Sequence, residues 1–236
     1  MRKLIAAVLA LSLLLFAASA LADTAITVTG SADTLIPADT AVVSLGVSIR
    51  DKDALQAQSR ANEVIAAIRD ALTGSGIAGE DINTGYINLY AVYDYSSSDI
   101  ERITAYNASS TLAVRVTDMD RVGQVIDLAF SAGANTLDGV VFSASDTSEA
   151  REASLKAAFA DARAKAEILA DAAGLKITGV TSLDESSVYS YESSENYFRA
   201  KDAGAGEQAA GAPTVVQAAK ICVTAGVTLT CSAAEP

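Results

Sequence analysis

No reaction in this chain can run through an imidazole, because its 236 residues include no histidine. Ser-His-Asp and Cys-His catalysis are excluded, and so is every His-ligated metal site. Carboxylates, lysines and two cysteines remain. Asp51 with Asp53 and Asp118 with Asp120 are acidic pairs, the residue type that ligates metal or shares acid–base work. Neither pair sits in a D-x-D-x-D-G calcium loop. Each stands where an amphipathic pattern begins, which makes helix capping the expected role. Asp94, Asp99 and Glu101 share a polar loop and give a weaker calcium reading. Paired carboxylates also serve glycoside hydrolysis. However, tryptophan is absent, and Tyr86, Tyr90, Tyr93 and Tyr95 fit strand packing and loop positions. Asp161, Arg163, Lys165 and Glu167 read as the charged face of a helix with i,i+4 pairs.

Gly74-Ser75-Gly76-Ile77-Ala78-Gly79 has the G-x-G-x-x-G spacing. A dinucleotide site needs that spacing after a strand and before a helix. Here the order is reversed, and helix termination is the expectation. No catalytic, cofactor-binding or metal-ligating residue is assigned. No cofactor is expected, and the chain is expected not to be an enzyme.

The elements follow from periodicity. Ala25–Gly30 reads as a strand, and 31–37 as a turn region. Thr40–Arg50 alternates, with Val43, Leu45, Val47 and Ile49 on one face. Asp51 or Asp53 then caps a helix to about Thr73 with Leu55, Ile65, Ile68 and Leu72 inward. Asp81–Tyr93 returns as a strand, with Ile82, Thr84, Tyr86, Asn88 and Tyr90 in phase. Arg102–Thr117 forms its antiparallel partner. Asp118–Ala132 is a helix with Val122, Val125, Ile126, Ala129 and Phe130 inward. Thr136–Ser145 is a strand. Thr147–Ala173 is a long helix with a stripe of Leu155, Phe159, Ala162, Ala166, Leu169 and Ala173, and Asp146 and Glu149 form its capping box. Leu175–Leu183 begins a strand. Residues 184–213, rich in Ser, Tyr, Gly and Ala, read as a long mobile loop. A last strand covers Thr214–Cys231. The order β-β-α-β-β-α-β-α-β-β predicts an α+β fold, a mainly antiparallel sheet with three helices packed on it.

Cys222 and Cys231 both fall on the final strand, where Ile221, Val223, Ala225, Val227 and Leu229 alternate with polar residues. On one strand the two sulfurs take opposite faces, roughly 30 Å apart at about 3.3 Å per residue, and cannot bond to each other. A hairpin turning at Gly226-Val227 would instead bring them together. Free thiols, an intrachain bond and an interchain bond all stay open.

Residues 1–22 carry Arg2-Lys3, an apolar run from Leu4 to Phe16, and the small-residue ending Ala20-Leu21-Ala22. This is the pattern of a cleaved signal peptide. It leaves residues 23–236 as a single domain in an oxidising compartment. The net charge of −12 repels nucleic acid and anionic lipid.

Several runs carry a resemblance. They are Gly76-Ile77 with Asp81-Ile82-Asn83-Thr84, Thr104-Ala105-Tyr106-Asn107-Ala108-Ser109, and Val122-Gly123-Gln124-Val125-Ile126-Asp127. Gly133-Ala134-Asn135 and Phe142 follow, and then Ala157-Ala158, Asp161-Ala162-Arg163, Lys165-Ala166-Glu167, Leu169-Ala170 and Ala173-Gly174-Leu175. In this order they resemble the SIMPL-domain proteins of the bacterial periplasmic immunogenic type. Ala105 departs from a position where that family tends to have Gly, and the two cysteines are additions to its pattern. The resemblance implies an exported, periplasmic α+β protein linked to envelope or stress phenotypes. It implies no reaction.

The expected function is therefore an exported, non-enzymatic envelope protein. It self-assembles through edge strands, Thr214–Cys231 in particular, into a homo-oligomer, or binds an envelope partner, with no transmembrane segment after signal removal. The alternatives are a small-ligand carrier with an apolar pocket between sheet and helices, and a His-independent hydrolase using carboxylates. The Tyr/Ser segments at 94–98 and 186–198 are either partner contacts or solvated.

Overall fold

The computed structural model describes residues 24–94, 102–192 and 213–236. The export pattern at 1–22, Tyr95, Asp99, Glu101 and most of the expected loop lie outside the described residues. The strands are β1 (Thr24–Pro37), β2 (Thr40–Asp51), β3 (Ile82–Asp94), β4 (Arg102–Val116), β5 (Thr136–Ser143), β6 (Lys176–Glu192) and β7 (Lys220–Ala234). The helices are α1 (Ala54–Gly74), α2 (Val122–Ser131) and α3 (Ser148–Ala172). The fold is α+β, in the order read from the sequence. The strands form two sheets, β1-β7-β6 and β3-β4-β2-β5.

The chain divides into two compact units. The first comprises the chain up to Thr34, Ser148–Tyr189 and Val223–Pro236. Here β1 and β7 run antiparallel. Thr27 and Thr230 share a hydroxyl hydrogen bond at 3.1 Å, and further along Thr224 donates to Asp33 at 2.7 Å. Ile26, Val28, Val227, Leu229 and Cys231 face the helix. The face that α3 presents is a row of small residues at strict i,i+4 spacing: Ala150, Ser154, Ala158, Ala162, Ala166 and Ala170. Such a row is inclined to the helix axis and lies along a twisted sheet. Of the expected stripe, Ala162 and Ala166 hold their place in the contact, Ala173 lies past the end of α3 and is exposed, and the larger members are displaced. Leu169 is exposed, and Leu155 and Phe159 only flank the contact. Large side chains are held off because the backbones come very close. A Cβ on Gly30 would lie 2.1 Å from the Ala158 carbonyl oxygen and 2.5 Å from the Ala162 nitrogen. Ser154 is fully buried and satisfied, its hydroxyl 2.8 Å from the Val223 carbonyl and 2.7 Å from the Thr34 hydroxyl.

Three boundaries read from the sequence move. The last strand starts at Lys220, not Thr214, and runs to Ala234, and it lies between β1 and β6 as the central strand of its sheet, so it is not the pairing edge expected of it. The other two are extensions. Residues 31–37 continue β1 instead of turning, and 184–192 continue β6 instead of opening a loop. In both cases strand pairing supplies the order that Ser, Asp and Pro withhold locally.

The second unit comprises Leu35–Thr147 and Ser190–Cys222. Its center is the β2–β4 ladder, unbroken from Ala41↔Val116 to Asp51↔Tyr106. Val43, Leu45, Val114 and Leu112 project to the side where α1 and α2 supply Ile68, Leu72, Val122 and Val125. Leu55, expected inward, is 80% exposed; the smaller Ala57 and Ala61 make the contact on that part of α1. Phe130, also expected inward, is exposed at the end of α2.

The face assignment of β3 is corrected too. A bulge at Gly85 shifts the register between Thr84 and Tyr86. Ile82 and Thr84 oppose Val114 and Leu112 on the helix side, whereas Tyr86, Asn88 and Tyr90 oppose Thr111, Ser109 and Asn107 on the other side.

The Gly30 contact is testable. Gly30→Ala forces a methyl into the α3 backbone and should cost about 1–3 kcal/mol, as overpacking does. Urea unfolding measures it, and an unchanged midpoint would contradict the close approach.

Candidate functional site

The acidic pairs are structural. The Asp53 carboxylate accepts the Leu55 and Gln56 N–H groups at 2.8 and 3.0 Å and caps α1. Asp51 accepts the Asp53 N–H at 3.1 Å and pairs with Arg60 at 3.2 Å. That N–H, and then Arg60, hold the Asp51 carboxyl below its ordinary value. Asp118 accepts the Asp120 N–H at 3.2 Å, capping a single 3₁₀ turn at Met119–Arg121 that precedes α2. Asp161 binds Lys165 at 2.7 Å and the Ser31 N–H at 3.0 Å, and both lower its pKa, Lys165 first. Arg163 pairs with Glu167. Among the described residues no three His, Cys, Asp or Glu side chains group as a metal site. The glycines at 74–79 terminate α1, with Gly76 N–H donating to the Thr73 carbonyl and Ile77 N–H to Leu72. Cys222 and Cys231 lie on one continuous β7, both buried, the separated single-strand arrangement and not the hairpin.

Three surface features could carry function. The first is a groove of about 610 Å³ along α3 and β6. Phe159, Ile177, Val180, Leu229 and Cys231 give it an apolar lining, and Arg163, Glu167, Asp171 and Lys176 add charge.

The second is a strap at 213–219 that crosses α2. Thr214 donates its N–H and its hydroxyl to the two Asp127 oxygens at 3.0 and 2.5 Å. These bonds, the hydroxyl first, lower the Asp127 pKa. The strap lies so close that a Cβ on Gly123 would sit 2.0 Å from the Thr214 carbonyl oxygen. Sequence reasoning missed this contact. Asp127 and Thr214 are 87 residues apart, and although Asp127 closes the Val122–Asp127 run, nothing in that run points to Thr214.

The third feature is the edge of the four-stranded sheet. Among the described residues, β3 pairs with β4 on one side only. Tyr86, Ile87, Leu89 and Tyr90 are 48%, 61%, 43% and 50% exposed. The strand carries one charge, Asp94 at its end, opposite Arg102. The Tyr90 ring is fixed: its hydroxyl accepts from the Asn107 amide at 2.9 Å, and Ser48 donates to Asn107 at 3.1 Å. The opposite edge, β5, is closed differently. It is short, bulges at Asp138 and Gly139, and gives the Phe142 N–H to the Glu192 carboxylate. Long, flat, uncharged edges are the ones that pair with other strands. β3 is long and uncharged from Ile82 to Tyr93, with its bulge confined to Gly85 near one end, whereas β5 is short.

An α+β protein of two antiparallel sheets, whose acids serve as caps and ion pairs, is the class this geometry defines. The chain belongs to the SIMPL family, described as a protein of unknown function (DUF541), which matches residues 26–231. It is 33% identical over 164 residues to the 26 kDa periplasmic immunogenic protein of Brucella melitensis biotype 1, covering 68% of this chain and 66% of that protein. It is also 27% identical over 158 residues to the uncharacterized protein YggE of Escherichia coli K12, covering 67% of this chain and 64% of that one. The chain thus spans just under two-thirds of the length of the relatives it matches. Among the described residues no helix is long and apolar enough to cross a membrane.

Two outcomes follow. Asp39, Asp51, Asp127, Glu152 and Asp161 all release their protons more readily in the folded chain, held by Ser145, Asp53 N–H, Thr214, Lys156 and Lys165 respectively. A depressed carboxyl stabilises fully above its unfolded value near 4 and loses that contribution as pH falls through the lower folded value. The urea midpoint should therefore stay level from about pH 5.5 to 7.5, where no imidazole titrates, and fall below about pH 4. Second, Asp127→Ala should free the strap, seen as faster limited proteolysis beside the exposed Val215 with the far-ultraviolet circular dichroism unchanged.

Proposed function

We propose that the chain is an exported periplasmic protein that acts without catalysis, by pairing the open edge of β3 with a strand of a partner. The observation carrying this reading is that edge: exposed on both faces, apolar and aromatic, and lacking the Lys, Pro and inward charge that block strand addition. Export is supported by the signal pattern at 1–22 and by the name of the Brucella relatives. The carboxylate-hydrolase reading has weaker support, since Asp51, Asp53, Asp118 and Asp161 are each committed to backbone or cation partners.

A small-ligand carrier is the second reading, favored by the groove along α3 and β6, whose apolar lining and four charged groups suit a molecule with an apolar body and a charged end. Native mass spectrometry of protein taken from its own envelope should then show a retained small molecule that is lost in Val180→Glu.

The strand-edge reading is checked by size. In mild extracts of its host envelope, the wild-type chain should elute above monomer mass and Ile87→Asp at monomer mass. Ile87 is exposed, so the variant should unfold within about 0.5 kcal/mol of the parent. A wild-type chain eluting alone, or an Ile87→Asp chain eluting with it, ends this reading.

A further inference from the structure

We propose that the β3 edge pairs antiparallel with β3 of a second copy of this chain, about a two-fold axis through Asn88, so that two four-stranded sheets become one. This deepens the strand-edge reading and rests on it. The residues 86–90 read Tyr-Ile-Asn-Leu-Tyr, the same order of side-chain classes in both directions. An antiparallel pair centered on Asn88 therefore sets Tyr86 against Tyr90 of the second copy, Ile87 against Leu89, and Asn88 against itself. Aromatic meets aromatic, aliphatic meets aliphatic, and amide meets amide. Isologous two-fold interfaces require this self-complementarity. Matched cross-strand pairs are also the unit that stabilises a sheet.

The backbone geometry agrees. The ladder with β4 is unbroken from Tyr86 to Val92, with a bulge just before it at Gly85 of β3 and a register shift just after it between Val92 and Tyr93, where the extra residue is Thr104 of β4. The palindrome thus lies within the regular stretch, and in the two-fold pair the Gly85 bulge of one copy and that of the other bound the pairing at its two ends. The two faces also match. Tyr86, Asn88 and Tyr90 share one face of the sheet and Ile87 and Leu89 the other, and a two-fold axis normal to the sheet keeps each set on its own side. Electrostatics point the same way. The chain carries −12 overall, so copies repel at most approaches. Residues 82–93 hold no charge, and the acids at the strand ends are compensated: Arg115 pairs with Asp81 at 2.5 Å, and Arg102 lies opposite Asp94.

The test is a register-specific charge exchange on the full chain. Sedimentation equilibrium should show the wild type dimerising, and I87K and L89E should each weaken the dimer by about tenfold or more. An equal mixture of I87K and L89E should regain most of that loss, because position 87 of one copy faces position 89 of the other. The mixed dimer then holds one opposite-charge pair and one native aliphatic pair. All of these positions are exposed, and circular dichroism confirms folding. As a second measurement, mild oxidation of N88C should give a covalent dimer, whereas T84C should not, its two copies lying roughly 25 Å apart in this register. A wild type monomeric at about 100 µM, a mixture no tighter than its components, or T84C linking as well as N88C would overturn the second-copy assignment. If the wild type instead travels in envelope extracts with a different protein and I87K abolishes that, the second-copy inference is lost while the strand-edge reading stands.

Discussion

The register between β2 and β4 is the constraint on which the larger unit depends. It runs without a shift from Ala41↔Val116 to Asp51↔Tyr106. Side chains on a strand alternate faces, so slipping either strand of this ladder by one residue would turn its core residues out together, Val43 with Leu45 or Leu112 with Val114. Every other element of that unit is placed against it. β5 and β3 flank the ladder and absorb irregularity through bulges, at Asp138 and at Gly85, where the β2–β4 pairing has none. The helices cover one face over β2 and β4, and Ile87 and Leu89 on β3 remain exposed.

The smaller unit meets a different constraint, the distance between backbones. Six small side chains at i,i+4 on α3 and a glycine on β1 let helix and strand approach until no methyl fits between them. Packing of this kind leaves little room for relaxation. It explains why the large residues of α3, Ile168 and Leu169, lie outside the contact. The groove along α3 and β6 results in part from the same arrangement, with Phe159 and Ile177 only half-buried at its side.

Charge is distributed unevenly over the chain. The acids are placed at helix starts, in i,i+4 pairs and between segments distant in the chain, where amide, ammonium and hydroxyl donors bind them. These positions stabilise local structure and keep the molecule repulsive toward polyanions. The β3 edge is the contrast: a long strand, neutral from Ile82 to Tyr93, with Tyr86 and Tyr90 exposed on one face and Ile87 and Leu89 on the other.

Much of this was legible in the sequence. Alternation in 40–50 and 102–117 located β2 and β4, and the acid-before-apolar signals at Asp53 and Asp118 located caps, because both depend on neighbors within a few residues. The placement of Cys222 and Cys231 on one strand was legible for the same reason, since a period of two is a local property. Other features were not legible because they depend on partners distant in the chain. The Asp127–Thr214 strap, the continuation of β1 through 31–37 and of β6 through 184–192, and the choice of alanines over leucines on α3 are of this kind. Local patterning was enough for the types and order of the elements and for the family of the chain. The face of β3 that carries Tyr86 and Tyr90, and the strand that forms the sheet edge among the described residues, emerged only from the assembled sheets. A one-residue bulge reverses side-chain parity, and an edge exists only once every other strand has found its neighbor.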